Sequence, residues 1–235
     1  MAHIAGVDGC KGGWIAIRKD VRSGEISSEV YSSGRQLFSQ SPNVRVLALD
    51  IPIGLTDSGP RRCDILARQM LGQPRGSSVF PAPIRSALTA SDRKEADSIS
   101  RSVDEKGVGA QAFGLYPRIR EIDEIMRSGE LARGYIYEVH PELCFMAWND
   151  GQPILESKKS HQGMITRFGL AKSHFREATV RSVRQRHPAS LVADDDIYDA
   201  FAALWTAERI HLGIAKVIPD PPETDSFGLP TAMWY

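Results

Sequence analysis

Cysteine is scarce and scattered. Cys10, Cys63 and Cys144 are the only three in 235 residues, and no two form a CxxC pair. That spacing argues against structural zinc and against a disulfide framework. It suits a reducing compartment, so a cytoplasmic location is expected. No apolar run approaches the length of a membrane span, and the N-terminus carries no signal-peptide pattern, so no membrane association is expected. An excess of one charge is missing too. Lysine plus arginine and aspartate plus glutamate both number 29, which removes the overall basic field that announces many nucleic-acid binders, although a local basic groove remains compatible with it. The chain has no internal repeat and no low-complexity tail. Ser77, Ser78 and six histidines are present, but no nucleophile elbow or ordered triad accompanies them.

What remains is ordinary globular composition, 42% hydrophobic and 25% charged, in a chain long enough to bury roughly 70–75% of its unfolded surface. One large domain over 1–235 is expected. The stretch His3 to Ile17 organises it: two short apolar runs flank a tight glycine-rich turn, and Asp8 sits where the first run ends. This reads as two antiparallel strands, with Gly9, Gly12 and Gly13 free to take positive φ. Asp8 at a strand end is well placed to hold a metal; an Asp that simply starts a turn is the alternative.

Glu25 to Tyr31 alternates as a third strand, and Gly34 to Gln40 suits a short helix. Val44 to Ile51 (VRVLALDI) is the strongest strand signal, an aliphatic run suited to burial on both faces, and it carries Asp50 at its end. Pro60 to Leu71 reads as a helix, Gly72 to Pro83 as a surface loop, and Gln111 to Arg127 as an amphipathic helix. The region of about 61–133 has no clear strand and is expected to be a helical insertion. Tyr135 to Val139 is a short strand delivering Glu138, followed by His140 and a helix through Trp148. Met164 to Leu170 and Arg176 to His187 suggest two further helices, the second a solvated basic one. Asp194 to His211 is a helix with a broad apolar surface, and Asp196 and Asp199 share a face in its first turns. Pro219 to Pro222 is expected to be a loop, and Leu229 to Tyr235 a closing edge strand.

Asp8, Asp50 and Glu138 thus fall on strands and Asp199 on a late helix. Each alone is read most simply as a salt-bridge partner, because burying a carboxylate costs free energy unless something pairs with it. Several at one point would repel one another unless a cation neutralised them. A hard, oxygen-loving ion, magnesium or manganese (Mg²⁺ or Mn²⁺), suits such ligands. Two of them roughly 4 Å apart would clamp a phosphodiester.

Seven motifs in this order, GVDGCKGGW, LALDIPIGL, RRCDILARQMLG, SSVFPAPIRSAL, YEVHPELCF, KKSHQG and DDDIYDAFAAL, resemble the family catalogued as domain of unknown function 429, regarded as predicted nucleases. The resemblance implies an α/β protein with an RNase H-like mixed sheet, three antiparallel strands followed by parallel ones, and helices on both faces. It implies that Asp8 is the central metal ligand, joined by Asp50, with Asp196 and Asp199 resembling the helix-borne acids of Holliday-junction resolvases and Glu138 a further strand-borne acid. Asp8, Asp50, Glu138, Asp196 and Asp199 would then be catalytic, the metal ligands being Asp8, Asp50, Glu138 and Asp199. Lys11, Arg85, His140, Lys158 and Lys159 would contact substrate. One departure bears on the type of enzyme: 32–43 holds no carboxylate, where cellular ribonuclease H carries a helix-borne acid, so a resolvase-like arrangement fits better.

The function expected is therefore metal-dependent cleavage of DNA or RNA, with a homodimer favoured if the substrate is symmetric. Two rivals stand beside it. An actin- or sugar-kinase-type phosphotransferase would use the Asp8 to Gly13 turn on nucleotide phosphates, but it usually needs two duplicated halves. A non-catalytic binding module on the same fold would fit the neutral charge.

Overall fold

The computed structural model describes residues 2–41, 43–129 and 133–235; the last residues expected in the insertion, 130–132, lie outside them. The chain forms two compact units. One comprises Met1–Ile51, Gly134–Lys216 and Trp234–Tyr235, the other Pro52–Arg133 and Val217–Met233.

The first unit is built on β1 (His3–Cys10), β2 (Gly13–Asp20), β3 (Ile26–Tyr31), β4 (Val44–Leu49) and β5 (Ile136–Glu138). They form one sheet in the order β3-β2-β1-β4-β5. The first three strands run antiparallel by successive hairpins. β4 and β5 then add parallel to β1. This mixed sheet with flanking helices is consistent with an RNase H-like fold. The turn between β1 and β2 is two residues long, as its glycines suggest. Gly13 takes a positive φ of 121°, whereas Gly9 and Gly12 do not. A side chain at Gly13 would also run into the backbone of Tyr31 and Ser32.

Strand parity divides the sheet into two faces. Ile4, Gly6 and Asp8 lie in register with Ile15, Ile17 and Lys19 on β2 and with Val46 and Ala48 on β4. This face carries the main apolar core, closed by α5 (Pro141–Trp148), α6 (His161–Phe175), α7 (Glu177–Arg186) and α8 (Asp194–His211). Elsewhere α1 (Gly34–Ser39) buries Leu37 and Phe38 and packs on β2 and β3. A closed bond from Arg167 to Glu142 joins α6 to α5: Nη2 donates to both carboxylate oxygens, at 2.7 and 2.9 Å, with both residues buried.

The second unit holds α2 (Arg62–Arg75), α3 (Arg93–Asp104) and α4 (Ala110–Ser128), with 3-10 turns at Gly76–Ser78 and Arg85–Thr89. α2 runs past the expected stop at Leu71 but breaks at Gly72, where φ is 58°. The strand expected over Leu229 to Tyr235 is present, but a second strand corrects the sequence reading. Val217–Thr224 forms β6, where a loop was expected, and pairs with β7 (Pro230–Trp234) in a separate two-stranded sheet. Proline lacks the donor that a central strand needs, so a Pro-rich segment reads as a loop. A two-stranded ribbon leaves one side of each strand outside the ladder, where proline is tolerated. Eight α-helices are present among the described residues, and none is long and apolar enough to cross a membrane.

Candidate metal centre

The site starts from a glycine. At Gly6 a Cβ would lie 2.0 Å from the Leu204 backbone nitrogen and 2.3 Å from the Ala200 carbonyl oxygen. The backbone of α8 therefore rests directly on β1, a closeness no other residue permits. Asp8 is two residues along the same strand and so shares the Gly6 face, while Asp199 immediately precedes Ala200 on the helix. Asp50 follows the last residue of β4, and its N–H donates to the Val7 carbonyl at 3.0 Å, which sets it beside the end of β1. Three carboxylates far apart in the chain thus meet at the C-terminal ends of β1 and β4, beneath the first half of α8.

Electrostatics report the meeting. Burial, then the charges of Asp50 and Asp199, push the Asp8 carboxyl well above the usual carboxylate range, with Lys158 opposing. Burial also raises Asp199, to about 7, against the pull of Lys158 and with the charges of Asp50 and Glu142 adding. Asp8 and Asp199 are 6% and 2% exposed, whereas Asp50 and Lys158 are half-buried and form the rim.

Lys158, in the loop before α6, is the cation within reach. Its Nζ donates to Asp199 Oδ2 at 2.6 Å and stands 3.6 Å from Asp195 Oδ2. Burial disfavours its charge, but Asp199 and Asp8 outweigh that and hold the ammonium protonated above the ordinary lysine range. The other oxygen, Asp199 Oδ1, is buried and has no hydrogen-bond partner among the described residues.

Other expected residues fall elsewhere. Glu138 is buried but lies in register with Leu49, and Leu49 with Val7. It therefore projects on the sheet face opposite Asp8 and α8 and does not join the three carboxylates. Asp196 accepts the Ala193 N–H at 2.9 Å, at the start of α8, and it adds a small repulsion at Asp8. Lys11 is exposed at the tip of the first turn and Lys159 is exposed beside Lys158. His140 takes the N-cap position of α5. Arg85 belongs to the second unit, where its guanidinium is held between the buried carboxylates of Asp123 and Asp225, with Phe227 stacked on it. So engaged, it clasps its own unit. Cys144 is buried, which pushes its thiol up to about 12, with Asp50 and Asp199 adding to the shift.

Sequence reasoning missed Gly6 and Arg167. A glycine inside a strand signals close backbone approach, so Gly6 could have been found. Arg167 on a helical stretch carries no such signal.

A family model described as "Protein of unknown function (DUF429)" matches residues 6–224. No curated protein and no solved structure matches the chain.

Proposed function

The chain belongs to the DUF429 family, and from that premise we propose that its first unit is a metal-dependent phosphodiesterase acting on nucleic acid in a resolvase-like manner. Asp8, Asp50 and Asp199 would hold the ion. The donor set fits Mg²⁺ or Mn²⁺, because every ligand offered is a carboxylate oxygen, the hard donor those ions prefer. The observation that carries the reading is Asp199 Oδ1, buried without a partner beside two further carboxylates. A buried acceptor left unsatisfied costs about 1–3 kcal/mol or more when charged, and a cation supplies the missing interaction.

Bound there, a divalent ion would activate water at neutral pH and stabilise the charge that develops on a phosphate. The chain's own contribution is geometric. Gly6 lets α8 settle on β1 so that Asp199 meets Asp8, and Asp50 and Lys158, half-buried, are the members of the site most accessible to solvent. Lys158 is placed to donate to a phosphate oxygen as a fixed positive charge. Three buried free thiols accord with a reducing compartment, and we place the protein in the cytoplasm on that ground.

Calorimetric titration with Mn²⁺ and Mg²⁺ tests this, on the wild type and on Asp8→Asn. Saturable binding lost in the variant is expected, followed by cleavage in a screen of labelled DNA, RNA and branched substrates. A folded wild type that binds neither ion, even with a short oligonucleotide present, sinks the reading.

A further inference from the structure

The two oxygens of Asp199 are differently engaged. Its Oδ2 is taken by the Lys158 ammonium at 2.6 Å, while its Oδ1, also buried, accepts nothing from the described residues. In a two-ion centre a carboxylate can bridge the ions with one oxygen to each. Here one of those two directions is already filled by an ammonium. Lys158 also lies 3.6 Å from Asp195 Oδ2, so it stands between two acids of α8 rather than at the edge of one.

We propose that Lys158 occupies the place of a second metal, so that the centre takes one divalent ion and one lysine. This rests on the metal-dependent reading above and specifies its stoichiometry. Geometry agrees with it: the ammonium faces both Asp199 and Asp195, and while it stays there the place beside Asp199 Oδ2 is not open to a second ion. An ammonium fixed by a carboxylate also suits substrate phosphate, since its remaining N–H groups can donate to an oxygen that a second ion would otherwise bind.

The test counts ions. Bound Mn²⁺ is measured by calorimetry, and by electron paramagnetic resonance of the free ion, on the wild type, Lys158→Met and Lys158→Arg. One equivalent is expected for the wild type and for Lys158→Arg, and two for Lys158→Met, whose neutral chain frees Asp199 Oδ2 and Asp195. Two equivalents in the wild type, or one in Lys158→Met, overturns the proposal while leaving the metal-dependent reading intact. No binding by a folded wild type overturns that reading, and this one with it. Should Lys158→Met be insoluble, Lys158→Gln is counted under the same expectation.

Discussion

At the scale of single residues, the chemistry turns on carboxyls whose protons are held tightly. Asp8 and Asp199 have folded values raised above an ordinary aspartate, Asp199 to about 7, chiefly because both are buried. The folded protein thus binds more protons than the unfolded chain between about pH 4 and 7. Stability from these groups is fully present below the unfolded value and is lost as pH rises through the folded one. In chelator, the melting temperature should fall as pH rises from 5 to 8. Asp199→Asn should flatten that slope, because an amide has no proton to lose. Saturating Mn²⁺ should remove most of it in the wild type by neutralising the ionised forms. Thermal melts at several pH values check all three. A slope unchanged in Asp199→Asn would show that Asp199 does not set the dependence. Arg167 makes a second prediction at this scale. With its side chain inaccessible and both Glu142 oxygens on one of its nitrogens, Arg167→Met strands a buried carboxylate and should cost about 3–5 kcal/mol in urea unfolding.

At the scale of elements, α8 and β1 are one device. α8 is legible in sequence because its apolar spacing and its leading aspartates agree. Its docking is not legible there, because the signal is a lone Gly6 in an apolar run. Gly6→Ala puts a methyl group where the Ala200 carbonyl and Leu204 nitrogen now sit. Those are backbone atoms, so the helix itself must lift. Overpacking of this kind costs typically about 1–3 kcal/mol, and lifting α8 also carries Asp199 away from Asp8. Weaker Mn²⁺ binding is therefore expected together with the loss of stability, measured by titration and urea unfolding on the same preparation. A variant that loses stability but binds Mn²⁺ as the wild type does would mean that α8 does not position the site. β5 shows where legibility stops. That Tyr135 to Val139 forms a strand is plain from its residues. That Glu138 faces away from Asp8 depends on register with β4, and a shift of one residue would have reversed it.

At the scale of the whole chain, the order of the sheet follows from hairpin spacing and from the buried run at Val44 to Leu49, both local signals. The acids that meet come from residues 8, 50 and 199, and no local signal brings them together. The same distance in sequence separated Arg85 from its partners. The family resemblance alone implies it as a substrate contact. In the second unit it is instead gripped by Asp123, which also takes Arg127 Nε at 2.9 Å, and by Asp225, whose side chain is inaccessible. Asp225 in turn accepts the Leu55, Phe227 and Leu229 N–H groups at 2.8–3.0 Å, so the hairpin of β6 and β7 is anchored through the same carboxylate. Removing the guanidinium leaves two buried acids with one cation between them. Arg85→Met should therefore destabilise its unit by about 3–5 kcal/mol, read by urea unfolding, while the Mn²⁺ stoichiometry of the first unit stays as in the wild type. A substrate-contacting arginine would give the reverse: stability within about 0.5 kcal/mol of the wild type, as for ordinary surface changes, and a loss confined to nucleic-acid binding. The two readings thus separate on a single variant, with stability as the readout that the site itself does not control.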